Sequence, residues 1–186
     1  APMSDDDDDD SHPEYKEALW RMMFHPALRA EAARWDWPRL EREIAKVVPA
    51  KWRALVRAGA LHETGGAERI LALGGVGVVT PAGAVVGGGG LDKDWGKNSS
   101  ALGFLQVVRK TWQGLAMPWP HYVAWYPPAA IRAAWRLLEA NGVRSNPEKA
   151  IAKYAGGKHW DAWQAGQTST YWKYIKANGG DPEAAA

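Results

Sequence analysis

The sequence predicts a mainly α (α+β) chain, a bundle of short helices carrying one small β-hairpin wing. Three observations predict it. Apolar residues recur at helical spacing in several windows of ten to fifteen residues, as from Trp52 through Leu55, Val56, Gly59 and Ala60. Proline and glycine end each window, with Pro49, Asn141-Gly142, Gly156-Gly157 and Gly179-Gly180 as the clearest stops. A single stretch, Ile70 to Leu91, exchanges this pattern for Val, Leu and Gly around Thr80-Pro81-Ala82-Gly83.

Taken in order, Asp5 to Asp10 is a run of six acids, and residues 1–12 read as a disordered acidic tail. Residues 13–180 read as one domain, with 13–48 as a helical extension, 49–178 as the core that carries the site, and 181–186 as a second tail. Within the extension, Tyr15, Leu19, Met22 and Met23 share a helical face up to the break at His25-Pro26. A short helix follows through Leu28 and Ala32. Asp36 and Pro38 start another, with Leu40, Ile44, Val47 and Val48 on one face. Pro49 separates it from the helix that runs into Glu63-Thr64-Gly65-Gly66. The hairpin is expected as Leu71 to Val79, a turn, then Ala84 to Val86 and the run Gly87 to Gly90. Beyond the polar loop Leu91 to Ala101, helical spacing returns at Val108, Trp112 and Leu115. Met117 to Pro128 reads as a loop rich in Pro, Trp and Tyr, followed by a helix through Ile131, Trp135 and Leu138. Ser145-Asn146-Pro147-Glu148 starts the next helix, either as a Ser/Glu capping box or as an Asn cap followed by Pro. The last helix carries Tyr171, Tyr174 and Ile175.

The bulk numbers set the class of partner. The formal charge is +2, and without the six acids of the tail the body stands at +8, which suits an anionic polymer. Twelve Trp in 186 residues supply core mass and also the flat faces on which pyranose rings stack. There is no Cys, so neither a disulfide framework nor a thiolate metal site is expected. The five His (His12, His25, His62, His121, His159) have no ligand spacing, and no metal or cofactor is expected. His62-Glu63 begins like a zinc-protease motif, but position 66 is Gly. The glycines from Gly74 to Gly90 are not followed by the Lys-Ser/Thr of a phosphate loop. Nucleic-acid binding would rest on charge and aromatics alone and is not expected. No apolar run is long enough to span a membrane, no secretory signal opens the chain, and the Asp-rich start suggests a piece of a longer chain.

The stretch that organises the rest is the helix ending at Glu63. Numbered from Trp52, Glu63 falls at i+11, on the apolar stripe itself, in the last turn before two glycines. A carboxyl half inside the protein resists ionisation, and an acid that holds its proton near neutral pH is what general-acid chemistry requires.

Three segments then line up: Glu63-Thr64-Gly65-Gly66; Trp95-Gly96 through Gly103-Phe104-Leu105-Gln106; and Tyr154-Ala155-Gly156-Gly157. In this order they resemble the lysozyme-like superfamily, specifically goose-type lysozymes and soluble-type lytic transglycosylases, over roughly residues 45 to 178. That resemblance implies a lysozyme-like fold and cleavage of the β-1,4 bond between N-acetylmuramic acid and N-acetylglucosamine in peptidoglycan. It implies Glu63 as the general acid, and Gln106 with backbone groups near Gly103 and Phe104 as holders of the sugar N-acetyl groups. It further implies that Tyr154 orients Glu63, and that Ser100 and Trp112 contact substrate.

Two acids of the goose-type pattern are replaced here by Lys97 and Val108. Asp92 and Asp94 lie nearby as candidate second carboxylates, with Glu68 weaker. Without one, Glu63 alone serves as acid and then base while the sugar's 6-hydroxyl closes an anhydro ring; both outcomes stay open. The alternative from another class is a non-catalytic peptidoglycan-binding or tail-structural module that keeps the groove. The implied setting is the wall or periplasm of a target bacterium. Delivery is by a secretion system or phage lysis machinery, the protein acts as a monomer, and an immunity protein is a further partner.

Overall fold

The computed structural model describes residues 26–27, 36–64, 71–72, 78–79, 85–86, 105, 107–157 and 167–184. These are predominantly helical. The expected helices before residue 36 lie outside them. Helix α1, Trp37–Val47, starts where Asp36 accepts a hydrogen bond from the Arg39 N–H at 2.8 Å, with Pro38 in the first turn. It buries Leu40 and Ile44, worth about 1.5–3 kcal/mol each. A single 3₁₀ turn, Ala50–Trp52, follows Pro49 and leads into α2, Arg53–Thr64. Arg53 closes the end of α1 by donating to the carbonyls of Val48 and Ala45 at 2.9 and 3.1 Å. Arg57 on α2 pairs with Glu41 and lies over the Trp37 ring.

The β stretch differs from the expected hairpin. Leu71–Ala72 (β1), Val78–Val79 (β2) and Val85–Val86 (β3) form an antiparallel sheet in the order β1-β2-β3. Leu71 pairs with Val79, and Val79 in turn with Val85. Leu71 to Val79 is therefore not one strand: its two ends, Leu71–Ala72 and Val78–Val79, pair with each other antiparallel. Glycine in a strand interior weakens the ladder, so a Val-Gly run of this length is better divided than extended.

Helix α3 is only Arg109–Gly114, with Val108 and Leu115 at its two caps rather than inside it. The segment expected as a loop up to Pro128 contains a 3₁₀ helix, His121–Trp125. Pro127 and Pro128 are not loop residues: they open α4, Pro127–Ala140, in the first-turn positions where a missing N–H costs nothing. Helix α4 is the centre of the core, burying Ile131, Ala134, Trp135 and Leu138 against α1, α5 and the 3₁₀ helix. It ends at Asn141-Gly142, where the buried Val143 returns its N–H to the Leu138 carbonyl at 3.0 Å. Of the two possible starts for α5, Pro147–Gly156, the Asn cap is the one used: Asn146 accepts from the Lys149 N–H at 3.1 Å.

Helix α6, Gln167–Ala177, packs on α2 and α5. Gly179 takes φ +73°, and the Gly180 N–H returns to the Ile175 carbonyl at 2.8 Å. A Cβ at Gly180 would lie 2.7 Å from Ile175 Cγ2 and 2.9 Å from Ala58 Cβ. Gly180→Ala is therefore expected to destabilise the fold by about 1–3 kcal/mol, as overpacking does. The expected result is a lower urea midpoint with an unchanged slope. No helix among the described residues is long and apolar enough to cross a membrane.

Candidate active site around Glu63

Trp52, Leu55 and Val56 are buried, and Glu63 closes the same helical stripe with its side chain half-buried. Burial raises its carboxyl from 4.5 to about 7, against a smaller opposing pull from one hydrogen bond. That bond comes from Tyr171 on α6, whose hydroxyl donates to Glu63 Oε1 at 3.0 Å. Gly59, one turn before Glu63, makes room: a Cβ there would stand 3.6 Å from the Tyr171 hydroxyl oxygen.

The resemblance implies that Tyr154 orients the acid. Its hydroxyl instead donates to the Leu105 carbonyl, tying the tyrosine turn to the Gly103–Gln106 segment. Tyr154 remains close enough for Glu63 to act on it: burial, and then the Glu63 charge, push its hydroxyl well above the ordinary value. Tyr171 is pushed up by the same two causes in the same order. Both phenols therefore stay protonated donors at any pH where the acid works. Direct contact with the carboxyl belongs to Tyr171, which spacing marks only as one residue of a helical face.

The Leu105 carbonyl is held by Tyr154, and the Val107 carbonyl accepts from a ring nitrogen of the buried His121 at 2.7 Å. His121 shows no signal of this in sequence, where it is a histidine between prolines and aromatics. Gln106 itself, Gly103, Phe104, Ser100, Asp92, Asp94 and Glu68 lie outside the described residues.

Trp112 does not serve as a substrate contact. It is 2% exposed, its indole N–H donates to the Trp119 carbonyl at 2.6 Å, and its ring meets His121 edge-on. Trp52, Trp135 and Trp172 are likewise core. Trp119, at 39%, is the one exposed large apolar side chain among the described residues.

Alongside Tyr171 and Tyr154, α2 (Leu55, Val56, Gly59), Leu105, α4 (Ala134, Leu138) and α5 (Ile151) line an apolar recess of about 10 Å³. That is room for no more than about one water. Burial, one hydroxyl donor on Oε1 and a raised proton affinity give a carboxyl that can deliver a proton from Oε2. Replacing the donor isolates its contribution. The bond favours the ionised form, so Tyr171→Phe is expected to raise the Glu63 midpoint above about 7 by about one pH unit, read from the carboxyl carbon by NMR. Comparison of the chain with protein-family models, with curated proteins and with solved structures finds no match.

Proposed function

We propose that the chain is a lysozyme-like peptidoglycan glycosidase that cleaves the β-1,4 bond between N-acetylmuramic acid and N-acetylglucosamine with Glu63 as general acid. One observation carries the reading. From three segments far apart in sequence, Leu105 is bonded to Tyr154 of α5, and Tyr154 lies close to the half-buried Glu63 at the end of α2, whose carboxyl is raised to about 7.

In the reaction, Glu63 passes its Oε2 proton to the glycosidic oxygen as the C1–O bond breaks, and positive charge builds on the muramyl ring. The carboxylate left behind keeps the Tyr171 hydrogen bond, which strengthens as its acceptor becomes charged. The same carboxylate then takes a proton from the incoming nucleophile. If that nucleophile is water, the product has a free reducing end, and Asp94 or Asp92 is the candidate second carboxylate. If it is the sugar's own 6-hydroxyl, Glu63 suffices and the product is a 1,6-anhydro end. On this reading the chain acts in the wall of a target bacterium, delivered by a secretion system or phage lysis machinery, and an immunity protein would act by filling the groove.

The test is digestion of purified peptidoglycan by the wild type and by Glu63→Gln, with the soluble fragments weighed by mass spectrometry. Reducing ends identify a hydrolase and ends lighter by one water identify a transglycosylase. Equal release by both proteins, or release by neither, overturns the reading in favour of glycan binding without chemistry.

A further inference from the structure

We propose that His62 is a positioning residue for the acid beside it: clamped between Tyr171 and Tyr174, its neutral ring seats the Tyr171 hydroxyl on Glu63. The geometry stands by itself; the consequence for turnover rests on the reading of Glu63 as a general acid. The imidazole lies against the Tyr171 ring with centroids 3.8 Å apart and planes at 33°. The Tyr174 ring meets it edge-on at 5.1 Å and 71°. The far end of the Tyr171 ring carries the hydroxyl that donates to Glu63. One face of a single phenol thus packs on His62 while its tip holds the carboxyl of the next residue, so loss of the imidazole frees the ring to tilt off the acid.

The same packing sets the charge of His62. Its Nδ1 is buried with no hydrogen-bond partner among the described residues. A neutral ring protonated on Nε2 leaves only a bare lone pair there, whereas an imidazolium would bury an unpaired N–H. Burial acts in the same direction and lowers the proton affinity of His62. Among the described residues, the titratable groups packed against it are Tyr171 and Tyr174 on α6, with Glu63 the next residue on its own helix; Lys173 and Lys176 are exposed elsewhere on α6.

The ordinary values, 4.5 for Glu and 6.5 for His, would place a single proton shared by such neighbours on the imidazole. Here burial moves the two in opposite directions, Glu63 up to about 7 and His62 down, which favours the proton on the carboxyl, where a leaving group can take it. A charged ring at position 62 would favour ionised Glu63 and disarm it.

The experiment is an NMR titration of the wild type labelled at Glu carboxyl carbons and His ring nitrogens, beside His62→Phe and His62→Ala. Expected are a Glu63 midpoint near 7 and a His62 midpoint lowered from the ordinary 6.5, with the neutral ring carrying its proton on Nε2. His62→Phe, with a ring to pack on Tyr171 but no titration, should hold the Glu63 midpoint within about half a unit. His62→Ala should move it by about one unit or more. A His62 midpoint at or above the ordinary 6.5 with Glu63 titrating near its own ordinary value overturns the proposal. So does an unmoved midpoint in folded His62→Ala. Because these readouts need no turnover, a wild type that titrates as expected but releases no peptidoglycan fragments defeats the glycosidase reading and leaves the positioning role standing.

Discussion

Glu63→Gln is expected to lower the release of soluble peptidoglycan fragments by at least about a hundred-fold, the lower range of what a positioned general acid supplies. The change preserves shape and can still accept the Tyr171 hydrogen bond, so the packing under the helix should survive. What it removes is the transferable proton. Binding to insoluble peptidoglycan, read by co-sedimentation, should therefore persist while turnover collapses. Wild-type turnover should also fall as pH rises through about 7, because the working form of Glu63 is the protonated one. A loss smaller than about ten-fold in Glu63→Gln would mean that the proton comes from elsewhere.

The same substitution is expected to stabilise the protein at alkaline pH. Glu63 binds its proton more tightly when folded, at about 7, than in the unfolded chain, near 4.5. Between those values the native state holds more protons than the unfolded one, so stability falls as pH rises. The contribution is fully present below about 4.5 and lost above about 7, a difference on the order of 3 kcal/mol. Gln at 63 carries no such dependence. The expected result is similar melting temperatures for the two proteins near pH 4.5 and a higher one for Glu63→Gln near pH 8, by about 2–4 °C per kcal/mol. Equal melting temperatures at both pH values would show that the carboxyl is not held in its neutral form. This readout is independent of any substrate.

Glu63 was legible in sequence because a helical stripe is local: eleven residues of spacing place it on a buried face without knowledge of what covers that face. Tyr171 was not, because its partner lies 108 positions away and spacing within α6 says only that it faces inward. Tyr154 shows the opposite limit. Its motif placed it near the acid, but which acceptor a hydroxyl chooses depends on the exact height of the Leu105 carbonyl, which no spacing encodes. Trp112 falls at the helical offset from Val108 that its spacing predicts, but the substrate contact implied for it by the resemblance fails, since it is buried in the core. The strands show a related gap: Val-rich runs identify β structure, while register depends on where glycines let the chain turn back.

The reach of the Tyr171–Glu63 bond also bears on how the domain assembles. Contacts this distant in sequence close late, after local helices have formed, because the intervening chain must first give up its freedom. Helix α2 can wind and bury Leu55 and Val56 while Glu63 is still an ordinary carboxyl facing water. When α6 docks, the acid gains its hydrogen-bond donor, Tyr171. A chain whose last helix has not yet docked would thus carry Glu63 without the partner that orients it.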